Sequence, residues 1–391
     1  MSDDTQTATA PEPATQTATA PEPATQTATA PKLDYALFPG CSACATGASY
    51  TEATTYVAGK IGMTLTEIDD WCCCGTSAAK LTDENLMYAL PARSLALAER
   101  QMPGLDVVAP CTGCYSSLKA SAHHVRQSTE NREHIESLIE MPYAASSEVR
   151  SMLEVMVDPE VRELIAAKLS STLGGMKLAC YYGCTQVRPA EVTCFENPEN
   201  PVSMEALLDA CGAECVDWAY KTECCGASNH VVSPRAGRAA SERILRNARA
   251  NGAEAIVTSC PLCWLNIDMR ESQINREHGT DYDLPVYYFT QLIALAMGAT
   301  AREVGLQRHF TEAATLALGR LEPIAVDEQN GISDTSCGGA ASGGGAAGAE
   351  GAASAEGAAS AGSAASSEGA ASAEGAASAG SAASSEGGEA R

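Results

Sequence analysis

Long hydrophobic runs are missing from this sequence of 391 residues. The most apolar stretch, "TQLIALAMGATA" at residues 290–301, is too short to cross a bilayer and is typical of a buried helix. The first residues also lack the basic and apolar segments of a secretory signal. We therefore expect a cytoplasmic protein with no direct membrane span, which could associate with a membrane only through partner subunits.

Basic residues are scarce, since 25 lysines and arginines stand against 49 aspartates and glutamates. The formal net charge of −24 argues against nucleic acid or an anionic membrane surface as the main partner. It is compatible with a basic protein partner.

Bulky apolar residues are missing from both ends of the chain. Residues 1–31 carry a Thr/Ala/Pro repeat ("TQTATAPEPA"), and residues 336–391 consist mainly of Ala, Gly, Ser and Glu. Segments of this composition cannot bury enough apolar surface to offset the entropy of ordering, so we expect both to be disordered. The roughly 300 residues between them are enough for two domains of ordinary size.

Cysteine, by contrast, is abundant, with 17 residues. In the absence of an export signal, metal or redox chemistry explains this number better than disulfide bonds do. An odd count also leaves at least one thiol unpaired in any scheme that consists of disulfides alone.

The central part of the chain consists of two similar halves. The first opens with "LDYALFPGC" (33–41) and the second with "MKLACYYGC" (176–184). In each half a helix, a strand, a cysteine pair and a second helix follow, and a last strand runs into CxxC, "LDVVAPCTGC" (105–114) or "EAIVTSCPLC" (254–263). Nearly continuous apolar strands that alternate with helices predict an α/β fold, with two repeated parallel-sheet cysteine-rich domains related by internal duplication.

The domain boundaries follow from these changes in composition. Between the two halves the chain is polar and helical in pattern ("VRELIAAKLSS"). The predicted order is a disordered repeat over 1–31, a first domain over 32–125, a helical linker or insert over 126–172, a second domain over 173–310, a C-terminal helix over 311–335 and a disordered tail over 336–391.

Five cysteines recur in the same order in each half. In the first half, 31 residues separate the first cysteine from an adjacent pair, and 36 more precede the CxxC; the second half has gaps of 39 and 34 residues. Functional loops of a parallel sheet lie beyond the carboxyl ends of its strands, so these cysteines could converge on one rim. The two sets are Cys41, Cys73, Cys74, Cys111, Cys114 and Cys184, Cys224, Cys225, Cys260, Cys263.

Three chemistries could explain an adjacent pair beside a CxxC. A disulfide between adjacent cysteines is strained, and zinc needs only four ligands. Iron–sulfur clusters are held by cysteine thiolates, and an adjacent fifth thiolate would let two irons share ligands, so we favour iron–sulfur.

The remaining cysteines do not recur in this pattern. Cys211 and Cys215 align with Ile61 and Leu65 of the first half and are expected to be buried apolar residues. Cys72 competes with its neighbours as a ligand, but the gap counts favour Cys73 and Cys74. The others without a counterpart are Cys44, Cys180, Cys194 and Cys337.

The cysteine motifs resemble those of a known family. "FPGCS", "DWCCCG", "APCTGC", "YYGCTQVRP", "ECCGASNH" and "TSCPLC" are similar to motifs in the two cysteine-rich (CCG) domains of the B subunit of the heterodisulfide reductases, over roughly residues 33–300. The resemblance implies that each five-cysteine set binds one noncubane [4Fe-4S] cluster, with all ten cysteines as iron ligands. One departure is Cys72, because the family usually has another residue before the first pair.

The resemblance also implies an activity, the reductive cleavage or reversible formation of a disulfide held between the two clusters. No GxGxxG motif for NAD or FAD and no ferredoxin-type cysteine run is present, so electrons must come from another protein. The implied partners are a ferredoxin-like C subunit that carries [4Fe-4S] clusters and a flavin-containing A subunit. Gln186, Arg188, Asn229 and His230 follow cluster cysteines and are candidates for substrate contact or for tuning the clusters.

Two other functions stay open on the sequence alone. Related CCG proteins serve as electron-transfer subunits in lactate, glycolate, glycerol-phosphate or succinate oxidation. A zinc-binding scaffold without redox activity is the third possibility.

Overall fold

Each half of the chain forms a four-stranded parallel sheet in the computed structural model, which describes residues 33–43 and 45–325. The strands, in chain order, are β1 (Asp34–Leu37), β2 (Thr64–Glu67), β3 (Asp106–Ala109), β4 (Val149–Ser151), β5 (Ser171–Thr172), β6 (Lys177–Tyr181), β7 (Glu214–Cys215), β8 (Ala255–Thr258), β9 (Val286–Tyr288) and β10 (Glu322–Pro323). The two sheets have the orders β2-β1-β3-β4 and β7-β6-β8-β9, and β5 pairs with β10 in a separate antiparallel ladder. The predicted α/β class and the duplicated parallel-sheet domains are confirmed. The predictions for the two tails, Cys44 and Cys337 lie outside the described residues.

Helices connect the parallel strands in both halves. One helix joins β1 to β2, whereas three short helices lie between β6 and β7. The helices are α1 (Ala48–Ile61), α2 (Thr76–Thr82), α3 (Glu84–Gln101), α4 (Thr112–Gln127), α5 (Thr129–Ile139), α6 (Met152–Met156), α7 (Pro159–Ala166), α8 (Cys184–Val187), α9 (Ala190–Thr193), α10 (Ser203–Asp209), α11 (Asn229–Val232), α12 (Pro234–Ala250), α13 (Pro261–Ile267), α14 (Glu271–His278), α15 (Phe289–Ala296) and α16 (Ala314–Arg320), and a 3₁₀ helix spans Leu306–Arg308.

The segment 126–172 is more than the helical linker that its composition predicts. It contains β4, which pairs in parallel with β3 (Val107 opposite Val149) and completes the first sheet. A strand of three residues is too short to show a period of two in the sequence, so the pattern of the flanking helices dominated the prediction. The counterpart in the second half is β9, and each of these strands leads directly into a helix, α6 or α15.

The C-terminal helix predicted over 311–335 is shorter within the described residues, and positions 326–335 lie outside them. Helix α16 covers only Ala314–Arg320, and the chain then enters β10. Pro323 explains this early end, because a proline drives the residue before it out of the helical conformation.

A shared aromatic core joins the two halves. The ring of Tyr50 on α1 stacks on that of Tyr288 with centroids 4.5 Å apart, and Trp264 on α13 stacks on the same tyrosine at 5.8 Å. All three side chains are buried, and large aromatic residues dominate the energetics of such interfaces. The loops at the ends of the two sheets are therefore held in a fixed relation. Among the residues described, no helix is long and apolar enough to cross a membrane.

Candidate functional site

The ten recurring cysteines follow the carboxyl ends of the strands. Cys41 follows β1 and Cys111 follows β3, while Cys184 and Cys260 follow β6 and β8. The adjacent pairs lie in the loops after β2 and β7. Because the strands are parallel, their carboxyl ends lie at the same edge of each sheet, which brings side chains distant in sequence together.

In the first set, the thiols form a run of contacts. Cys73 contacts Cys74, the Sγ atoms of Cys74 and Cys114 are 3.4 Å apart, and Cys114 contacts Cys111. The hydrogen bond with Cys74, above all, and the charge of Cys41 raise the pKa of Cys73. The four contacting thiols are thus consecutive, with Cys41 beside the end of the run.

The second set repeats this arrangement. Cys184 contacts Cys224, which contacts Cys225. Cys225 in turn contacts Cys263, and Cys263 contacts Cys260. The five thiols of this set are therefore joined without interruption.

The two sets meet at the first cysteine of each CxxC. Cys111 and Cys260 lie beside each other and each shifts the pKa of the other, so the two sets adjoin at these two residues. The two sets also share the same pattern of buried and exposed cysteines. In each set the second member of the pair and both CxxC cysteines are buried, whereas the first member of the pair is exposed.

Each set contains thiols whose environment favours the thiolate. A hydrogen bond from Cys114 lowers the pKa of Cys74 to about 3, and one from Cys184 lowers the pKa of Cys224 to about 2. A hydrogen bond from Cys111 also lowers the pKa of Cys260. The same contacts raise the pKa of neighbouring members such as Cys114 and Cys263, so the thiols of each set share their protons. Cysteine binds metals as the thiolate, and a compact group of cysteines is the kind of donor set that holds iron–sulfur clusters.

A glycine precedes the first cysteine of each set and lets the backbone approach the site closely. Gly40 and Gly183 have φ of 75° and 69°, in the left-handed region. A Cβ atom on Gly40 would lie 3.0 Å from Sγ of Cys114, and one on Gly183 would lie 3.1 Å from Sγ of Cys263. Any side chain here would take space beside a cysteine sulfur, so one glycine forms part of the wall of each cysteine set.

Polar groups that the sequence pattern did not single out donate hydrogen bonds to the cysteines. Asn266 Nδ2 lies 3.3 Å from Sγ of Cys225, and its counterpart Ser117 hydrogen-bonds to Cys74 and lowers the pKa of that thiol. Both residues stand three positions after the last cysteine of a CxxC, and this equal offset was the signal available in the sequence. Hydrogen bonds to cluster sulfurs tune reduction potentials.

The candidate substrate contacts lie in supporting positions. Gln186 is fully buried, and its Nε2 donates to Oγ of Ser151 at 2.9 Å. Arg188 donates to the carbonyl oxygen of Thr222 at 3.1 Å, close before the second cysteine pair. Both side chains therefore bind neighbouring protein groups in the structure.

The other two candidates differ from each other. His230 is buried, and its Nε2 lies 3.0 Å from the carbonyl oxygen of Cys225, whereas Asn229 is exposed. Burial lowers the pKa of His230, so the ring is neutral at pH 7. A neutral imidazole in this position fixes the loop that carries the cysteine pair.

A cavity of about 80 Å³ opens where the two halves meet beside the cysteines. Cys184, Cys225, Cys260 and Cys263 line it together with hydroxyl-bearing residues such as Ser117. Lys80 of α2 is exposed and contributes the cavity's cationic side chain. Its lining therefore combines four cysteines of the second set with side chains from both halves.

The cysteines outside the two sets have other surroundings. Sγ of Cys72 lies 3.3 Å from the carbonyl oxygen of Leu90, away from the run of thiol contacts. Cys211 is buried in the core and Cys215 packs against it, so both serve as apolar residues. Cys180 and Cys194 are also placed apart from the sets, in the core and at an exposed turn.

Comparison with known proteins gives matches over most of the described chain. The model of a family described as "cysteine-rich domain" matches twice, at residues 35–119 and 178–268. The chain is 32% identical over 286 residues to the 8-methylmenaquinol:fumarate reductase membrane anchor subunit of Wolinella succinogenes, with 72% of this chain and 99% of that protein covered.

A second relative is the B subunit of the ferredoxin/F(420)H(2)-dependent CoB-CoM heterodisulfide reductase of Methanosarcina acetivorans. The chain is 30% identical to it over 280 residues, which cover 70% of this chain and 92% of that protein. Among solved structures, a hypothetical protein from Helicobacter pylori aligns with a TM-score of 0.58 at 14% identity, over 72% of this chain and 53% of that one. This last match supports the fold alone.

Proposed function

The chain belongs to the family of heterodisulfide reductase B subunits, and from this premise we propose that it cleaves a disulfide reductively, or forms one in the reverse reaction. Cys41, Cys73, Cys74, Cys111 and Cys114 would hold one [4Fe-4S] cluster of the noncubane type, and the second set would hold another. The observation that supports this proposal most strongly is that two matching five-cysteine sets adjoin at Cys111 and Cys260.

The reaction that we propose is balanced by two electrons and two protons. The disulfide R–S–S–R′ takes up both and is released as two thiols, RSH and R′SH. Bound clusters would supply these electrons one at a time. The disulfide would be held where the two halves meet, with Ser117 and Lys80 of the first half facing the cysteines of the second set.

The electrons would come from other subunits. The Wolinella succinogenes and Methanosarcina acetivorans relatives are both named as subunits of larger reductases. We propose a ferredoxin-like C subunit with [4Fe-4S] clusters as the immediate donor or acceptor and a flavin-containing A subunit as a further partner.

A second candidate function is electron transfer without disulfide chemistry. The name of the Wolinella succinogenes relative, a subunit of a fumarate reductase, favours it. In this case the same cysteines would hold clusters, and electrons would pass through the chain to a partner that reduces or oxidises a dicarboxylate.

The first test is the content of iron, acid-labile sulfide and zinc per chain after anaerobic purification. Two four-iron clusters require about eight irons and about eight sulfides. Oxidation of the reduced protein by an added disulfide, with release of two thiols per disulfide, would then support the first function. Full iron content without any response to disulfides would favour the electron-transfer function, and zinc without sulfide would exclude both.

A further inference from the structure

Helix α12 is strongly basic in an acidic chain. Its 17 residues, "PRAGRAASERILRNARA", contain five arginines and one glutamate. The whole chain has only 25 basic residues and a net charge of −24. This local reversal of charge sets α12 apart from the general acidity of the molecule.

The arginines share one face of the helix. Their spacing (Arg235, Arg238, Arg243, Arg246, Arg249) places them within an arc of the helical wheel, and the opposite face is buried through residues such as Ile244 and Ala248. We call these five arginines the basic stripe.

Most of the basic stripe is not neutralised by ion pairs. Arg238 pairs with Glu277, and Arg246 lies 3.7 Å from Glu242. The other three, Arg235, Arg243 and Arg249, are exposed and form no ion pair within residues 33–43 and 45–325. The stripe therefore presents positive charge to solvent.

Helix α12 packs on the loop of the second cysteine pair through its buried face. Ser241 of α12 donates through Oγ to the carbonyl oxygen of Cys225 at 2.9 Å, and Cys224 is exposed next to it. Helix α11 lies between the cysteines and α12 and exposes two neighbouring apolar side chains, Val231 at 81% and Val232 at 77%. Exposed apolar residues with a charged rim are typical of protein interaction surfaces.

The duplication provides an internal comparison. The counterpart of α12 in the first half is α3, which also follows a cysteine pair, and it carries two glutamates and two arginines. One of these, Arg93, pairs with Asp70. The basic stripe is thus a feature of the second half, and the repeated fold does not require it.

We propose that the basic stripe with Val231 and Val232 is the docking surface for an acidic electron-carrying protein that exchanges electrons with the second cysteine set. The inference rests on the proposed iron–sulfur function and adds the place and the charge of the partner. Beyond a Debye length of about 8 Å the net repulsion between two acidic proteins is screened, so local charge complementarity sets the docking orientation. An extended polyanion such as a membrane or nucleic acid would also meet the acidic remainder of the surface, which favours a compact protein partner.

The test uses the iron-loaded full chain and a reduced acidic ferredoxin as the probe. Stopped-flow absorbance gives the second-order rate constant of electron transfer at low and at high salt. The Arg243→Glu/Arg249→Glu variant should react about tenfold more slowly at low salt and lose most of its salt dependence. Val231→Ser/Val232→Ser should also slow the reaction but keep its salt dependence.

A matched control removes the same charge elsewhere. Arg100→Glu/Arg132→Glu changes two exposed arginines of the first half, and its rate should equal that of the unmodified chain. Equal slowing in this control would overturn the proposal. So would a stripe variant that keeps its rate but no longer sediments with phosphatidylglycerol vesicles, since the stripe would then bind lipid.

Two further measurements separate this inference from the proposed function. Reduction by dithionite, which needs no docking surface, should be the same in all variants and shows that their clusters are intact. Direct binding of the ferredoxin to the chain, measured without electron transfer, tests the surface even if the chain holds no iron. Binding that is weakened by the stripe variant alone supports docking whatever the iron content, and binding that is unaffected overturns it.

Discussion

Three consecutive cysteines have three different environments in the loop after β2. Cys72 turns its thiol toward the carbonyl oxygen of Leu90, Cys73 is exposed, and Cys74 is buried against Cys114. The loop geometry separates a thiol that packs on α3 from two that face the rest of the set. The gap counts in the sequence favour Cys73 and Cys74 over Cys72. The contact that draws Cys72 away, with the carbonyl oxygen of Leu90 on α3, spans 18 residues, so no local sequence pattern reveals it.

Exchange of single cysteines in this loop should separate these roles. We expect Cys74→Ser to lose roughly half of the iron, about four of about eight atoms, because the first cluster would lack a shared ligand. Cys72→Ser should keep the full iron content, since its thiol contacts α3. Iron and sulfide assays on both variants provide the measurement. Iron loss in Cys72→Ser with retention in Cys74→Ser would assign the ligands the other way round.

Each cysteine set depends on a glycine of positive φ in the loop that follows a strand. After β1 and β6 the chain must turn so that the next cysteine joins its set, and the turn brings Gly40 and Gly183 against the sulfurs of Cys114 and Cys263. Both glycines are visible in the sequence as Gly-Cys, yet their purpose becomes clear only when Cys114 and Cys263, more than 70 residues away, lie beside them.

Alanine at Gly40 should therefore damage the site more than the fold. Gly62, the C-cap of α1, has the same φ of 75° but has open space around its Cβ position, so Gly62→Ala is a matched control. Both variants should lose about 1 kcal/mol of unfolding free energy from the left-handed backbone. Only Gly40→Ala should also lose iron, because its methyl group would lie 3.0 Å from Sγ of Cys114. Equal iron content in the two variants would contradict a role for the close approach.

The sequence predicted the repeated elements better than the contacts between them. The strands that lead into the cysteine motifs have long apolar patterns and were predicted, whereas β4 is too short to be recognised. The contact of Cys111 with Cys260 joins the two halves and depends on how α1 packs against α15. Packing of this kind has no signature in either repeat alone, so the sequence predicts two sites and does not show that they adjoin.

Buried ionisable groups in the second half should make the stability of the whole molecule depend on pH. Burial raises the pKa of Asp268 and that of Glu271 to about 7, and burial lowers the pKa of His309 to about 4. Asp268 and His309 face each other in the core with Oδ1 and Nδ1 3.9 Å apart, and both side chains are almost completely inaccessible. The three groups therefore bind protons differently in the folded and unfolded states.

The signs of these contributions are opposite. A carboxyl with a raised pKa holds a proton in the folded state that the unfolded state has lost, so its contribution to stability falls as pH rises from about 4 to about 7. A histidine with a lowered pKa lacks a proton that the unfolded state binds, so its contribution rises from about pH 4 to about pH 6.5. In the unmodified chain the effects of Asp268 and His309 largely cancel over this range.

Removing one member of the pair should expose the contribution of the other. Relative to the unmodified chain, the unfolding free energy of Asp268→Asn should gain a slope of up to about +1.4 kcal/mol per pH unit between about pH 5 and pH 6.5, and that of His309→Gln a slope of the opposite sign. Urea unfolding of both variants at several pH values measures these slopes. Parallel curves for all three proteins would contradict this prediction. They would mean that neither Asp268 nor His309 changes its pKa on folding.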